Sequence, residues 1–283
     1  MKDSRRSETG LLRSFKVISL VLACLMLAAC ASVPETSRDY LLEAPQQQKG
    51  APLILALHGY GESAEGFRSK THLDEAAKER GYGVAYVQGL PNATDATSAS
   101  GWNSGISPDG NDDVADLTGL VKYLCKSYGY DQNRVFVVGY SNGAFMAHRL
   151  AMEAPDVFAG AISVAGKMPE MIWEERKEQS DVSFFQVTGS KDDLVPKNSD
   201  GSAKYAKDPA IEDVLTYMVN SNGLELSSEE EIGKGTLSIY TGEGKHTTVW
   251  DLVIKDGRHS WPEESICGFD INSLILDFCD SVP

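Results

Sequence analysis

Positive charge is scarce in this sequence and unevenly placed. Of 26 Lys and Arg against 41 Asp and Glu, five (Lys2, Arg5, Arg6, Arg13 and Lys16) lie in the first 16 positions. Beyond residue 29 the chain keeps 21 basic and 39 acidic side chains, a formal charge of −18. A surface of that sign repels phosphate backbones, which argues against nucleic acid as a partner; its ordinary use is solubility. Cysteine is sparse too, five in 283 residues, and none has the spacing of a metal site. Internal repeats and a linker to a second domain are missing. What is present, 42% hydrophobic and 24% charged residues, suits a chain with one sizeable core and excludes disorder as the whole answer.

Only one apolar run is long, "VISLVLACLMLAAC" from Val17 to Cys30. It is shorter than the ~20 residues a spanning helix needs, and its basic flank suits a signal-peptide core. Its end, Leu27-Ala28-Ala29-Cys30, resembles the lipobox of bacterial lipoproteins, which implies cleavage before Cys30 and acylation of that cysteine. The expected organisation is therefore a lipoprotein signal over 1–29, an acylated Cys30 with a flexible tether over 30–48, and a catalytic domain over 49–283. The expected location is outside the cytoplasm, lipid-anchored to a bacterial membrane. In an oxidising compartment, Cys125, Cys267 and Cys279 then suggest one disulfide and one buried thiol. Cys267 with Cys279 is the expected pair, because the two flank the last helix.

From residue 52 onward, short apolar runs such as "PLILALHG" (52–59), "GVAYVQG" (83–89), "RVFVVG" (134–139) and "GAISVAG" (160–166) alternate with amphipathic helical patterns. Continuous apolar strands between helices predict a mostly parallel sheet covered on both faces, an α/β fold. Two loops interrupt the rhythm, 89–111 and 198–208. Both follow strand carboxyl ends, where open α/β sheets bind ligands.

"RVFVVGYSNGAFMAHRLA" (134–151) holds Gly139-Tyr140-Ser141-Asn142-Gly143 between an apolar strand and a helix. A Gly-x-Ser-x-Gly match alone is weak, but strand, tight turn and helix are the setting of a nucleophile elbow, with Ser141 as nucleophile. A serine needs an imidazole to take its proton. His72 and His148 sit inside helical patterns, His58 on an early strand and His246 before the last strand; His259, in "KDGRHSWP", follows that strand at the carboxyl edge. The acid that would orient this base comes from "VTGSKDDLVP", as Asp192 or Asp193. Oxyanion donors are expected from the backbone N–H groups of Asn142 and of Tyr60, in "LHGYGES". Trp102 could wall a substrate site or pack beneath its loop. "DGNDD" (109–113) superficially resembles a calcium loop, yet Val114 and Leu120 stand where glycine and glutamate belong, so Asp112 reads as a helix N-cap.

Six segments in order, "LHGYGES", "GWN", "DDV", "RVFVVGYSNGAFMAHRLA", "DDLVP" and "GRHSWP", resemble the polyhydroxybutyrate depolymerase and feruloyl esterase family of α/β-hydrolases. The resemblance implies an α/β-hydrolase fold without a large cap domain, no cofactor and no metal. It further implies a serine esterase acting on feruloyl or acetyl groups of polysaccharides, or on short polyester chains. It assigns Ser141, Asp192 and His259 as triad and Tyr60 and Asn142 as oxyanion donors; Trp102, from its place in the loop, is the substrate-binding candidate, and a monomer is expected. Ala144 stands where the family has a further glycine, Tyr60 where it often has cysteine, and "TGSKDD" replaces His-Gly-Thr. Two other readings stay open: a serine peptidase of the same fold, and a non-catalytic surface module that binds polysaccharide.

Overall fold

A computed structural model of the chain describes residues 38–91, 98–105, 110–197 and 207–282. The leader, Cys30 and parts of both long loops lie outside them. The described residues belong to one compact unit, Thr36–Pro283. In chain order its elements are β1 (Tyr40–Glu43), β2 (Leu53–Leu57), α1 (Ala64–Thr71), α2 (Leu73–Glu79), β3 (Gly83–Val87), β4 (Leu90–Pro91), β5 (Ser100–Gly101) and α3 (Asp113–Tyr128). Then follow β6 (Val135–Tyr140), α4 (Asn142–Glu153), β7 (Gly160–Val164), α5 (Glu170–Glu174), β8 (Ser183–Gly189), α6 (Ile211–Asn222), β9 (Glu225–Ile232), β10 (Gly235–Thr241), β11 (Val249–Ile254), α7 (Glu264–Cys267) and α8 (Ile271–Ser281).

Nine strands form one sheet in the order β1-β3-β2-β6-β7-β8-β11-β10-β9. The six from β3 to β11 run parallel, while β1 at one edge and β10 and β9 at the other are antiparallel. Strand alternation makes two cores. Leu53, Leu55 and Leu57 of β2 with Val135 and Val137 of β6 face α3, α4 and α6, while Ile54, Ala56, Phe136 and Val138 face α1, α2 and α8. Burial on both faces is why these strands read as unbroken apolar runs. The arrangement is an α/β-hydrolase fold, and the described residues carry no inserted cap domain. Among them no helix is long and apolar enough to cross a membrane.

Two expectations need correction. The tether does not extend to residue 48: β1 pairs with β3 from Tyr40–Val87 to Glu43–Val84. Just before it, buried Arg38 forms an ion pair with Asp113 and donates through Nε to Asp116 at 3.0 Å. A buried guanidinium must be paired, so the folded unit reaches back at least to residue 38. Cys267 and Cys279 are not bonded to each other; both are free and buried. Cys267 donates its S–H to the carbonyls of Glu263 (3.1 Å) and Phe269 (3.3 Å), while Cys279 packs in the α8 core, where burial pushes its thiol pKa up. Each thiol behaves as a small buried hydrophobe.

Candidate active site

The nucleophile candidate sits on a strained corner. Ser141 joins β6 to α4 with φ 51° and ψ −117°, a positive φ unusual for a residue with a Cβ. Its N–H donates to Val164 O at 3.0 Å, and its carbonyl accepts from Ala144 N (2.9 Å) and Phe145 N (3.0 Å), which locks the corner. The flanking glycines are steric necessities: a Cβ on Gly139 would strike the carbonyl of Gly143, and one on Gly143 the carbonyl of Leu57. Ala144, where the family has glycine, is accommodated because Gly166 opposite its methyl has no side chain.

Two later strands deliver the partners. His259 lies in the turn after β11, Asp192 in the turn after β8, and the turns meet through Lys191 N donating to Gly257 O at 2.8 Å. His259 Nδ1 is 2.8 Å from Asp192 Oδ2, and His259 Nε2 is 2.9 Å from Ser141 Oγ. Asp192 accepts further N–H groups at Oδ1, from Leu194 (3.0 Å) and Val195 (2.8 Å), and is 5% exposed. Asp193 points to solvent. A carboxylate so occupied accepts the Nδ1–H of His259, which leaves Nε2 to accept from the Ser141 hydroxyl. Tyr140, unremarked in the sequence, donates its O–H to His259 O at 3.3 Å with the ring centroids 5.6 Å apart. Burial, with Glu62 and Asp192 adding to it, pushes that phenol up to about 12, so it stays a donor.

The loop after β2 faces the corner. Buried His58 donates Nδ1–H to Gly59 O (2.7 Å) and accepts from Gly89 N at Nε2 (2.9 Å). Burial lowers its pKa, and with both ring nitrogens engaged it is a fixed neutral strut. Asn142 heads α4, where the first N–H groups lack helical acceptors. Its side-chain amide accepts Trp102 N at 2.7 Å and donates to Trp102 O at 3.1 Å. Trp102 itself is 3% exposed; its indole N–H donates to His58 O at 2.8 Å and its ring packs against His58 at 5.2 Å. Of the two roles open for Trp102, the structure matches packing within the loop rather than a substrate wall: the indole has almost no open surface and its N–H holds the carbonyl of His58. The exposed apolar group there is Tyr60, 49% accessible.

Two of the other histidines are engaged away from the corner, and His246 is exposed. His148 is fully buried against Phe184 with Nε2 3.2 Å from Gln186 Oε1, and burial lowers its pKa to about 3. His72 is an exposed corner between α1 and α2 with φ 49°. Asp112 caps α3 by accepting Ala115 N at 3.1 Å, as its sequence context suggests. Among the described residues no His, Cys, Asp and Glu group could hold a metal ion.

Comparison with known proteins gives a consistent set. A profile of the prolyl oligopeptidase family, Peptidase_S9, matches residues 75–186. A putative esterase, NocK, from Nocardia uniformis subsp. tsuyamanensis is 30% identical over 237 residues, 77% of this chain and 68% of the relative. Feruloyl esterase B from Thermothelomyces thermophilus is 28% identical over 54% of each chain. Poly(3-hydroxyalkanoate) depolymerase C from Paucimonas lemoignei is 30% identical over 41% of this chain and 28% of its own. The chain thus spans about half or less of the feruloyl esterase and the depolymerase. Among solved structures, acetyl xylan esterase from Aspergillus awamori superposes with a TM-score of 0.62 at 14% identity, over 87% of this chain and 94% of the other.

Proposed function

This chain belongs to the polyhydroxybutyrate depolymerase and feruloyl esterase family of α/β-hydrolases, a family of carboxylic ester hydrolases, and we propose that Ser141, His259 and Asp192 give it that activity through an acyl-enzyme. The observation that carries the reading is the unbroken hydrogen-bonded line from Ser141 Oγ through His259 to Asp192 Oδ2.

The proposed chemistry runs through these three side chains and two main-chain N–H groups. His259 Nε2 takes the Ser141 proton as Oγ attacks the ester carbonyl, and Asp192 stabilises the imidazolium at Nδ1. The N–H groups of Tyr60 and Asn142 hold the oxyanion. The intermediate collapses as His259 protonates the departing alcohol. Water, deprotonated by the same nitrogen, then attacks the acyl-enzyme and releases the acid, restoring Ser141. No cofactor enters these steps.

The substrates that the relatives' names point to are feruloyl or acetyl esters of polysaccharides and short polyhydroxyalkanoate esters. The lipobox supports export and acylation of Cys30, with the domain working as a monomer at a bacterial membrane surface. Turnover of methyl ferulate, acetylated xylan and hydroxybutyrate oligomers by the purified chain, each compared with Ser141→Ala, tests the reading; no turnover of any ester would sink it. The prolyl oligopeptidase profile over 75–186 favours one second reading, a peptidase. Hydrolysis of peptide p-nitroanilides but not of esters would favour it.

A further inference from the structure

The segment "HGYGES" places an acid, Glu62, two residues after Tyr60, on a loop whose expected work is to stabilise negative charge. A bare carboxylate there opposes an oxyanion, so its presence calls for a reason. Its bonds supply one. Glu62 Oε2 accepts the N–H of Gly59 at 3.1 Å, and the N–H of Glu62 donates to Gly59 O at 3.2 Å. Gly59 is therefore gripped at both its N–H and its C=O by one residue. The same carbonyl also accepts His58 Nδ1–H at 2.7 Å.

A trans peptide plane carries its C=O and its N–H on opposite sides. With Gly59 O turned toward Glu62 and His58, the N–H of the Gly59–Tyr60 peptide must point the other way. The far end of the loop is fixed as well: Ser100 Oγ donates to Glu62 O, and Gly61 N donates to Ser100 O at 2.7 Å. Glu62's second oxygen, Oε1, forms an ion pair with Lys70 of α1, whose Nζ lies 4.8 Å from the centroid of the Tyr140 ring, next to Ser141.

We propose that Glu62 is a positioning residue that aims the Tyr60 N–H at the oxyanion, and that Lys70 both anchors Glu62 and cancels its charge. The inference rests on the esterase reading above. An acceptor is what Gly59 needs; the negative charge that comes with this one is offset by Lys70 over a short distance. Losing the acceptor should cost less than removing an oxyanion donor outright, which costs about 100-fold to 1000-fold in kcat.

The experiment uses Glu62→Ala, Glu62→Gln, Lys70→Met and the Glu62→Gln/Lys70→Met double variant of the full chain, with p-nitrophenyl acetate turnover and binding of a trifluoromethyl ketone that mimics the tetrahedral intermediate. Glu62→Ala should lower kcat and ketone affinity together by about tenfold, with KM within about twofold. Glu62→Gln keeps an acceptor oxygen and should stay near the unsubstituted enzyme. Lys70→Met, which exposes an uncompensated carboxylate, should lose about threefold to tenfold in kcat, and the double variant should recover it. A merely structural role would not move ketone affinity at constant KM and Tm. Unchanged kcat in Glu62→Ala, or an equal loss in Glu62→Gln, overturns the inference while leaving the esterase reading standing. An unsubstituted enzyme with neither turnover nor ketone binding overturns both.

Discussion

His259 Nε2 lies 2.9 Å from Ser141 Oγ although 118 positions separate the two residues. Parallel neighbours in the sheet bring their carboxyl ends together, and the glycine-lined contact between the turns after β8 and β11 sets the last few ångströms. A Cβ on Gly189 would strike the carbonyl of Gly257, so the turns approach as closely as backbone allows.

Asp192 and Asp193 are separable by experiment. Asp192→Asn removes the carboxylate that pairs with His259 Nδ1, and kcat should fall on the order of 1000-fold to 10,000-fold. Asp193→Asn, at a solvent-facing side chain, should leave kcat within about twofold. Steady-state kinetics on p-nitrophenyl acetate decides; equal losses would contradict the geometry.

Trp102 is a structural anchor, so its truncation should read out as stability. Trp102→Ala empties a buried site and leaves His58 O without its indole donor, a loss of about 3 to 5 kcal/mol. Trp102→Phe should lose less and keep KM. Urea unfolding with parallel kinetics checks this; a large KM change at unchanged stability would restore the substrate-wall role.

Asp251, in mid-strand of β11, should shape the pH dependence of stability. Burial, helped by Glu212 and opposed by Lys197, raises its pKa to about 6, and its Oδ1 has no hydrogen-bond partner among the described residues. Between the unfolded value near 3.8 and about 6 the native state binds the proton that the unfolded chain has lost. Its stabilising effect is therefore full below that window and is lost as pH rises through 6. Asp251→Asn should raise stability by on the order of 2 kcal/mol at pH 8 and little at pH 4. Thermal unfolding across pH measures the difference; a uniform gain at both pH values would contradict it.

Free thiols can be counted. Cys125, Cys267 and Cys279 should all react with a thiol reagent after denaturation without reductant, and reductant should not lower Tm. One reactive thiol among the three, with a Tm that falls on reduction, would restore a disulfide.

Much of the fold was legible because burial on both faces writes itself as apolar runs. β2, β3, β6 and β7 each coincide with one of those runs. The edges were not legible. β9 carries "ELSSEEEI", exposed along almost its whole length, so no apolar alternation marks it as a strand. β1 is four half-buried residues behind a polar segment. At the site, residue type and position could nominate Ser141, His259 and a pair of aspartates, and only the family resemblance chose Asp192 from the pair; the physical reason, the backbone N–H groups of Leu194 and Val195 that enclose its carboxylate, is not written locally in the sequence. Trp102 stayed undecided and the Cys267–Cys279 pairing misled for a shared reason, since burial in a core leaves no local sequence mark that separates it from a binding wall or a bond. Glu62 and Tyr140 carried a weaker signal, their nearness to Tyr60 and Ser141.

The central claim is that Ser141 is the nucleophile, and its most direct measurement is reaction with a fluorophosphonate probe, followed by mass mapping of the adduct, beside p-nitrophenyl acetate turnover in Ser141→Ala. A single adduct on Ser141 in the unsubstituted chain and loss of both labelling and turnover in the folded variant is the expected result. Undiminished turnover by Ser141→Ala, or an adduct on another residue, would contradict it.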